Sequence, residues 1–230
     1  MSEHQELNGD YAQRVVMHSA DMDWQSSPGA KVWRKRLHLV GPPEAGRVTS
    51  IVRYDPGSTF PPHEHPDGEE ILVLEGTFCD EHGAYPVGTY LLNPEGFAHA
   101  PYSEEGCVLF VKLRQYPGQT RGHVVVKTRE AAWEATEDAG RERMPLYSDP
   151  AHPEKMHLTR LAPGAAASHH AHPGGEEVLV IEGSLEDEFG RYGKGDWLRY
   201  PDGSAHRPRT DEGCLLYVKV GHLGALEAKS

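Results

Sequence analysis

The chain alternates short apolar runs with clusters of turn residues. EILVLEGTF and CVLFVKL in the first half, and EVLVIEGSL and CLLYVKV in the second, are rich in Val, Ile and Leu and are bounded by Gly, Pro and Asp. Runs of this length and composition are typical of β-strands. Two segments have helical character instead, residues 129–144 and residues 224–230. The pattern predicts an all-β fold of short antiparallel strands, closed into a small barrel or jelly roll so that strand edges are removed.

The pattern of strands and turns occurs twice in the 230 residues. EEGCVLFVKL at 104–113 matches DEGCLLYVKV at 211–220, an offset of 107 positions, and the same offset relates further Gly, Pro, His and Glu positions without a gap. A weaker match joins residues 15–24 to residues 124–133. A fixed period of this kind indicates a duplicated structural unit. The predicted domains are residues 1–120 and residues 121–230.

Charge and composition narrow the class of partner. The formal net charge is -12, from 35 acidic and 23 basic residues, so a nucleic-acid backbone or an anionic membrane surface would be repelled. No apolar run approaches the roughly 18 residues that span a bilayer, and the amino-terminal segment lacks the features of a signal peptide. Three cysteines without a Cys-x-x-Cys spacing favour reduced, buried thiols. We expect a cytoplasmic protein that binds neither nucleic acid nor membrane.

The 15 histidines are the anomaly in the composition, and six of them recur at the offset of 107. In the first copy, His63 and His65 share one face of an extended segment, and Glu69 has the same parity. His99 follows a rigid Pro-x-Gly turn, which can direct a third imidazole towards them. Three imidazoles and one carboxylate leave one or two positions of a five- or six-coordinate metal open to water or substrate. The predicted ligands are His63, His65, Glu69 and His99 in the first copy and His170, His172, Glu176 and His206 in the second.

These residues carry a resemblance to the cupin superfamily. Its first motif has Gly, five residues, His-x-His, three or four residues, Glu, six residues and Gly, and the segment from Gly57 to Gly76 matches it. Its second motif has Gly, five residues, Pro-x-Gly, two residues, His, three residues and Asn, and the match departs only where Ser103 replaces the Asn. The second copy matches equally, with Thr210 at that place. The resemblance implies two tandem cupin barrels of the jelly-roll type, a bicupin with a divalent metal ion in each barrel.

Within the superfamily, the segment HPDGEEILVLEG most resembles the cupin domain of ChrR-type anti-sigma factors, and it is also similar to acetylacetone-cleaving dioxygenase-like cupins. The ChrR resemblance implies zinc, although the same ligands also serve iron(II), manganese and nickel. In ChrR-type proteins a separate helical zinc domain binds the sigma factor. No cysteine precedes Cys79 to supply such a domain, so sigma-factor binding is not expected. Cupins commonly pair through barrel edges, which leaves a homodimer open.

Side chains beside the predicted ligands allow different interpretations. His169 adjoins His170 with opposite parity and is expected to face outwards. Glu70 and Glu177 adjoin the ligand carboxylates and are expected to be solvated or to support the ligands. An arginine that pointed into the second site would favour an anionic ligand there. The arginines near that site are Arg199, Arg207 and Arg209.

Two functions fit this prediction. In the first, iron(II), manganese or a similar ion acts as a Lewis acid on a small oxygen-rich molecule, as in a β-diketone-cleaving dioxygenase or a hydrolase. In the second, zinc stabilises the barrel, and a bound metabolite or oxidant changes the contact with a regulatory partner. The open coordination position favours the enzyme. The ChrR-like segment favours the sensor and places it slightly ahead.

Overall fold

The computed structural model describes residues 6–118 and 120–227 and divides the chain into two compact units. The first unit comprises Met1–Gly9 and Met22–Glu130, and the second comprises Asp10–Asp21 and Ala131–Ser230. Strands and turns dominate both units, which confirms the prediction of an all-β fold. Among the described residues, no helix has the length and apolar character needed to cross a membrane.

The strands of the first half are short and bounded by turns, as the sequence predicts. In chain order they are β1 (Val15–His18), β2 (Gln25–Ser26), β3 (Val32–Val40), β4 (Arg47–Tyr54), β5 (Ser58–Thr59), β6 (His63–Glu64), β7 (Glu69–Asp80), β8 (Gly83–Pro86), β9 (Thr89–Asn93), β10 (Ala98–His99), β11 (Tyr102–Ser103) and β12 (Cys107–Leu113). A 3-10 helix, Ser19–Asp21, follows β1.

Within the described residues, the second half repeats this series without counterparts of β5 and β11, in whose place Ala166 and Arg209 form an isolated bridge. Its strands are β13 (Val124–Lys127), β14 (Glu134–Ala135), β15 (Arg141–Ser148), β16 (Lys155–Leu161), β17 (His170–Ala171), β18 (Glu176–Asp187), β19 (Gly190–Gly193), β20 (Asp196–Tyr200), β21 (Ala205–His206) and β22 (Cys214–Val220). The short helix α1 (Leu223–Glu227) comes last among the described residues.

The first unit is built around the long strand β7, which pairs antiparallel with β9 and with β12. Its main sheet has the order β13-β9-β7-β12-β4-β3-β2, and β10 and β6 form a separate two-stranded sheet. Ile71 and Val73 of β7 lie opposite Val111 and Leu109 of β12, and all four belong to the buried core. Because side chains alternate along a strand, these pairs place one face of the sheet inside.

The second unit has the same arrangement. Its main sheet has the order β1-β20-β18-β22-β16-β15-β14, and β17 and β21 form the small sheet. Val178 and Val180 of β18 lie opposite Val218 and Leu216 of β22, again within the core. The two units therefore bury equivalent residues of the repeat.

The glycine that closes the first motif has a structural reason in both units. Gly76 and Gly183 have φ angles of +69° and +70°. A Cβ atom at these positions would lie 2.1 Å from the carbonyl oxygen of Gly106 and 1.9 Å from that of Gly213. Only glycine tolerates both the backbone conformation and the close approach of the neighbouring strand.

The edge strands of the two sheets are exchanged between the sequence copies. β1 pairs with β20 of the second unit, with Val15 opposite Arg199, whereas β13 pairs with β9 of the first unit, with Val124 opposite Leu92. The weak match between the chain segments around β1 and β13 thus relates two strands with equivalent roles in different units. The compact units therefore do not coincide with the sequence copies. The division at residue 120 concerns the copies and stays a prediction.

The helical prediction for residues 129–144 is wrong. This segment contains turns, the strand β14 and the beginning of β15, and β15 pairs along its length with β16. Gly140 has a φ angle of +75°, which is incompatible with a continuous helix. The carboxyl-terminal prediction is confirmed within the described residues, where α1 forms, while residues 228–230 lie outside them.

Candidate metal centres

Three histidines of the first unit meet at one point. His63 on β6 lies directly opposite His99 on β10, and His65 follows β6. The imidazole centroids are 4.7 Å apart for His63 and His65, 4.9 Å for His65 and His99, and 5.1 Å for His63 and His99. One ring nitrogen of each histidine lies within 4.8 Å of the others, so a single metal ion can be bound by all three.

The carboxylate of Glu69 completes this group. Its Oε2 lies 3.2 Å from His65 Nε2 and 3.6 Å from His99 Nε2. Asn93 Nδ2 donates a hydrogen bond of 3.0 Å to the same oxygen. Burial raises the pKa of Glu69, and the adjacent imidazole of His99 and the Asn93 hydrogen bond oppose that rise. A divalent cation at this point would stabilise the ionised carboxylate.

Hydrogen-bond acceptors fix the orientation of two of the imidazoles. His63 Nδ1 donates to the carbonyl oxygen of Pro61 over 2.9 Å, and His99 Nδ1 donates to Asp80 Oδ2 over 3.1 Å. The Tyr85 hydroxyl donates to the other oxygen of Asp80 over 3.1 Å. With the proton on Nδ1, each ring presents the lone pair of Nε2 to the site, and this is the form that binds a metal.

The imidazole nitrogens that face the site are placed to bind a cation. His65 Nε2 and His99 Nε2 are 2.8 Å apart in a buried position. Burial, together with the neighbouring imidazoles, lowers the pKa of His65 to about 2, so this ring is neutral. Neutral imidazoles and a carboxylate around one point match the ligand preferences of zinc, iron(II), manganese and nickel. The donor set therefore fits the implied metal.

The second unit repeats this geometry. His170 lies opposite His206, and the centroids are 4.9 Å apart for His170 and His172, 5.1 Å for His170 and His206, and 4.7 Å for His172 and His206. Glu176 Oε1 lies 3.6 Å from His206 Nε2, and Oε2 lies 3.4 Å from His172 Nδ1. Burial raises the pKa of Glu176 to about 7. One nitrogen of each imidazole again lies within 4.8 Å of the others.

Supporting hydrogen bonds are repeated as well. His170 Nδ1 donates to the carbonyl oxygen of Ser168 over 2.8 Å, and His206 Nδ1 donates to Asp187 Oδ2 over 3.1 Å. Burial by itself raises the pKa of Asp187, but the hydrogen bonds from His206 and two tyrosine hydroxyls outweigh it and lower the pKa. His172 Nε2 is buried without a hydrogen-bond partner among the described residues, while Nδ1 of the same ring faces Glu176. The structure thus brings all eight predicted ligands together, in two groups of four.

Comparison with known proteins identifies the family. The model of the ChrR cupin-like domain matches residues 12–117 and again residues 121–224. The chain belongs to the ChrR cupin-like family. Both units are therefore cupin barrels, and the chain is a bicupin, as the resemblance implied. A search of curated proteins found no match.

Several solved structures share this fold. A candidate dioxygenase from Nostoc punctiforme is 17% identical, with a TM-score of 0.73, over 91% of this chain and 82% of that one. A pirin from Escherichia coli in complex with nickel(II) is 14% identical, with a TM-score of 0.69, over 90% and 98%. Oxalate decarboxylase from Bacillus subtilis, which has Mn(II) centres, is 15% identical, with a TM-score of 0.63, over 94% and 78%. At these identities the similarity establishes the fold.

The two candidate metal sites of the bicupin differ in the space beside them. In the first barrel a cavity of about 390 Å³ opens next to His63, His65 and His99. In the second barrel the cavity beside His170 and His206 has a volume of about 20 Å³, which is room for about one water molecule. Only the first of these two sites can therefore take a small organic molecule.

Two differences between the repeats bring larger side chains to the second site. Tyr200 stands where the first barrel has Asn93, and its ring centroid lies 4.4 Å from that of His206. His157 stands where the first barrel has Ser50, and it lies opposite a cavity-lining residue of the neighbouring strand. Both changes add ring volume around the second metal centre.

The acidic neighbours of the ligands do not have the predicted environment. Glu70 and Glu177 are buried rather than solvated, and they lie on the opposite face of the strand from the ligand carboxylates. Glu70 accepts a hydrogen bond from the Tyr116 hydroxyl. Glu177 pairs with Arg199 over 3.2 Å and with His222 over 3.3 Å, so Arg199 does not serve the second site. The side chains of His169, Arg207 and Arg209 are exposed, as expected for His169.

Sequence reasoning missed the residues that support the ligands and line the cavities. Asp80 and Asp187 hold one imidazole in each barrel. Arg34 and Arg141 line the two cavities from equivalent strands. Asp80 and Asp187 stand at the offset of 107, so the repeat contained a signal that would have found them, whereas the strand registers place Arg143 at the position of Arg34.

Asp80→Asn is expected to weaken metal binding at the first barrel by about 10- to 100-fold. The carboxylate accepts hydrogen bonds from His99 Nδ1 and from the Tyr85 hydroxyl, whereas an amide nitrogen at the same place would favour the wrong imidazole tautomer. Competition with a chromogenic chelator measures the affinity of each site. Asp187→Asn is the matched variant, and equal weakening of both sites by Asp80→Asn would contradict the assignment.

His157 is expected to make the second barrel sensitive to acid. Burial, reinforced by Arg143 and Arg141, lowers the pKa of His157 to about 3. An unfolded histidine has a pKa of about 6.5, so between these two values the unfolded state binds more protons than the folded state. The free energy of unfolding therefore rises with pH across this window, and the contribution is complete above it. We expect His157→Ser to reduce the slope in urea titrations at about pH 4 to 6; an unchanged slope would contradict this.

The thiols of the bicupin are expected to be inert in the native protein. Cys107 and Cys214 are buried, and burial raises the pKa of each thiol to about 11. At pH 8 only about one thiol in a thousand is then ionised, and the thiolate is the reactive form. A disulfide reagent such as Ellman's reagent should label them slowly in the native state and rapidly after unfolding in guanidinium. Rapid labelling of either residue in the native state would refute the expectation.

Proposed function

We propose that the chain is a metal-dependent enzyme that acts on a small organic molecule at the first barrel, in the manner of a non-haem dioxygenase. In this proposal the second barrel holds its metal as a structural element. The observation that carries the proposal is the cavity of about 390 Å³ beside His63, His65 and His99. Catalytic metal sites keep room for a substrate, whereas structural sites are closed. The second barrel, with about 20 Å³, has the closed form.

The residues around the first centre are suited to such chemistry. A bound divalent metal would polarise an oxygen of the substrate as a Lewis acid and, if redox-active, would exchange electrons with dioxygen. Phe60 lines the cavity with its ring centroid 4.9 Å from that of His63, and Phe78 does so 6.0 Å from His99. These rings exclude water from the ligands, which strengthens electrostatic interactions inside the site.

Different metals are proposed for the two barrels. Zinc has no redox chemistry and suits the closed second site, whereas dioxygen chemistry at the first site requires iron(II), manganese or nickel. The fold accommodates such ions, since the similar pirin was solved with nickel(II) and oxalate decarboxylase has Mn(II) centres. The similarity to a candidate dioxygenase supports the class of reaction.

Aerobic turnover tests this proposal. Protein reconstituted with iron(II), manganese or nickel is mixed with a panel of β-diketones and hydroxy acids while an electrode records oxygen consumption. We expect turnover by the wild type and by His206→Ala, and none by His99→Ala, although each variant loses one equivalent ligand. Absence of oxygen consumption across the panel, or the reverse order of the two variants, would refute the proposal.

The family match favours a second function, a regulatory metal-dependent sensor. The ChrR cupin-like model covers both copies, and in this role zinc stabilises both barrels while a molecule in the first cavity changes the contact with a protein partner. Elemental analysis of the purified protein distinguishes the two functions. Zinc in both sites, together with no turnover, favours the sensor, whereas iron, manganese or nickel in the first site favours the enzyme.

A further inference from the structure

Two arginines of the first barrel lie on β3, a strand that borders the large cavity. Arg34 lines the cavity from β3, and Arg36 has the same parity two residues further along. Ser50 also lines the cavity, and it lies directly opposite Arg36 in the ladder between β3 and β4. Arg34 lies opposite Val52, another lining residue. The two guanidinium groups and the hydroxyl are therefore neighbours on one inner surface.

These side chains present buried polar atoms without partners. Ser50 is 2% exposed, and its Oγ makes no hydrogen bond within the described part of the chain. The Nε atoms of Arg34 and Arg36 are likewise buried without a hydrogen bond there. Unsatisfied buried donors are costly, so a group of them indicates an acceptor that this chain does not itself supply. A carboxylate suits two guanidinium groups and a hydroxyl, because it accepts several charge-assisted hydrogen bonds at once.

Glu44 shows that a carboxylate can reach this pair. Its Oε1 accepts a hydrogen bond of 3.2 Å from Arg36 Nη2 and a second hydrogen bond from Arg34 Nη2. The Glu44 side chain is 53% exposed and lies in the loop between β3 and β4. A loop carboxylate in contact with water contributes little net free energy as an ion partner. Glu44 is therefore a competitor that an incoming anion can displace.

The body of the cavity is apolar. Beside Arg34, Glu44 and the metal ligands, the charged residues in its lining are Glu64 and Arg114. Its strand walls carry Val48, Val52, Ile71, Leu109 and Val111. A ligand that fills this space needs a hydrocarbon portion, because a wholly polar molecule would lose its hydration without gaining partners along these walls.

We propose that the cavity of the first barrel binds a small carboxylic acid, with its carboxylate on Arg34, Arg36 and Ser50 and its apolar body along the strand wall beside the metal ligands. The inference deepens the proposed function, on which it rests, by naming the class of substrate. Recognition of the acid end by two arginines would leave the opposite end of the molecule to face the metal centre.

The second barrel provides the matched comparison. In the strand ladders Arg143 stands at the position of Arg34, since it lies opposite Thr159 as Arg34 lies opposite Val52, and Pro145 takes the place of Arg36. His157 takes the place of Ser50, and the cavity has only about 20 Å³. The second barrel thus lacks the second arginine, the hydroxyl and the space, and the proposal assigns no acid to it.

Calorimetric titration of the metal-loaded, full-length protein with hexanoate tests the assignment. Uncharged hexanamide and the shorter acetate serve as reference probes, and each is expected to bind at least about tenfold more weakly, since one lacks the charge and the other the apolar body. Arg34→Met keeps an apolar stem and is expected to weaken hexanoate binding by about tenfold or more. Arg143→Met, its counterpart in the second barrel, should leave hexanoate binding unchanged.

Glu44→Gln gives a readout that a merely structural residue would not produce. Removal of the competing charge is expected to tighten hexanoate binding several-fold. The inference is overturned if the wild type does not bind hexanoate, if Arg34→Met and Arg143→Met behave alike, or if Glu44→Gln weakens binding. Metal content and oxygen consumption of the same samples are measured in parallel. Intact metal sites and turnover without hexanoate binding would refute the substrate class alone and leave the proposed function standing.

Discussion

Replacing His99 with alanine is expected to lower the metal content of the chain from two ions to one, as measured by elemental mass spectrometry on protein purified without a polyhistidine tag. His99 is one of three imidazoles whose nitrogens lie within 4.8 Å of one another, and its Nδ1 is held by Asp80. Loss of this ring leaves too few ligands for a tight site. His206→Ala should remove the other ion, because the second barrel has the same geometry.

The matched control for both variants is His169→Ala. His169 is adjacent in sequence to the predicted ligand His170, but its side chain is exposed. This substitution is expected to leave the metal content at two ions. A wild-type protein with a single ion, or a loss of metal in the His169 variant, would show that the six imidazoles do not act as two independent sites.

Tyr11→Ala is expected to destabilise the second barrel by about 3 kcal/mol, even though Tyr11 precedes every strand of the first barrel in sequence. Tyr11 is buried against Leu223 and Leu226, and the guanidinium of Arg199 lies 4.8 Å from the centroid of its ring. Truncation of a buried aromatic ring to alanine typically costs about 3 to 5 kcal/mol, and the cation–π contact is lost with it. Chemical unfolding followed by tryptophan fluorescence measures the change.

Hydrogen exchange shows which barrel carries the loss. We expect β18, β20 and β22 of the Tyr11 variant to lose protection, while β7, β9 and β12 keep it. Val125→Ala, at an exposed position of β13, is the control and should change stability by less than about 0.5 kcal/mol. Lost protection confined to the first barrel would contradict the placement of the amino-terminal segment.

The grouping of the predicted ligands could be inferred from the sequence because it depends on local spacing. His63 and His65 share a face of one extended segment, and a fixed turn precedes His99, so the positions of the imidazoles follow from a few neighbouring residues. The duplication then supplies the second set. The closed barrels could also be predicted from the sequence, since the strand pattern and the repeat indicate the same fold.

The volume of the cavity beside each candidate metal site could not be predicted from the sequence, because it depends on residues from distant strands. Ser50 and His157 are equivalent in sequence, yet Ser50 lines a large cavity and His157 lies opposite Val218, which lines a small one. The exchange of edge strands was missed for a related reason. The sequence match between β1 and β13 shows that the two strands are similar. The local pattern of apolar residues does not show whether a strand pairs with a partner that is near or distant in sequence. The helix predicted at residues 129–144 was wrong because this segment contains good helix formers, but the pairing of β15 with β16 determines its structure.

The exchanged strands impose an order on the folding of the two barrels while the ribosome synthesises the chain. The first barrel obtains its edge strand β13 soon after β9 is made, whereas β1 has to wait for Arg199 and its neighbours. At synthesis rates of about 5 to 20 residues per second, β1 remains without its partner strand for roughly ten to forty seconds. The first barrel can thus close during translation. The second barrel closes later, around β1, which leaves the exit tunnel before all the other strands of that barrel.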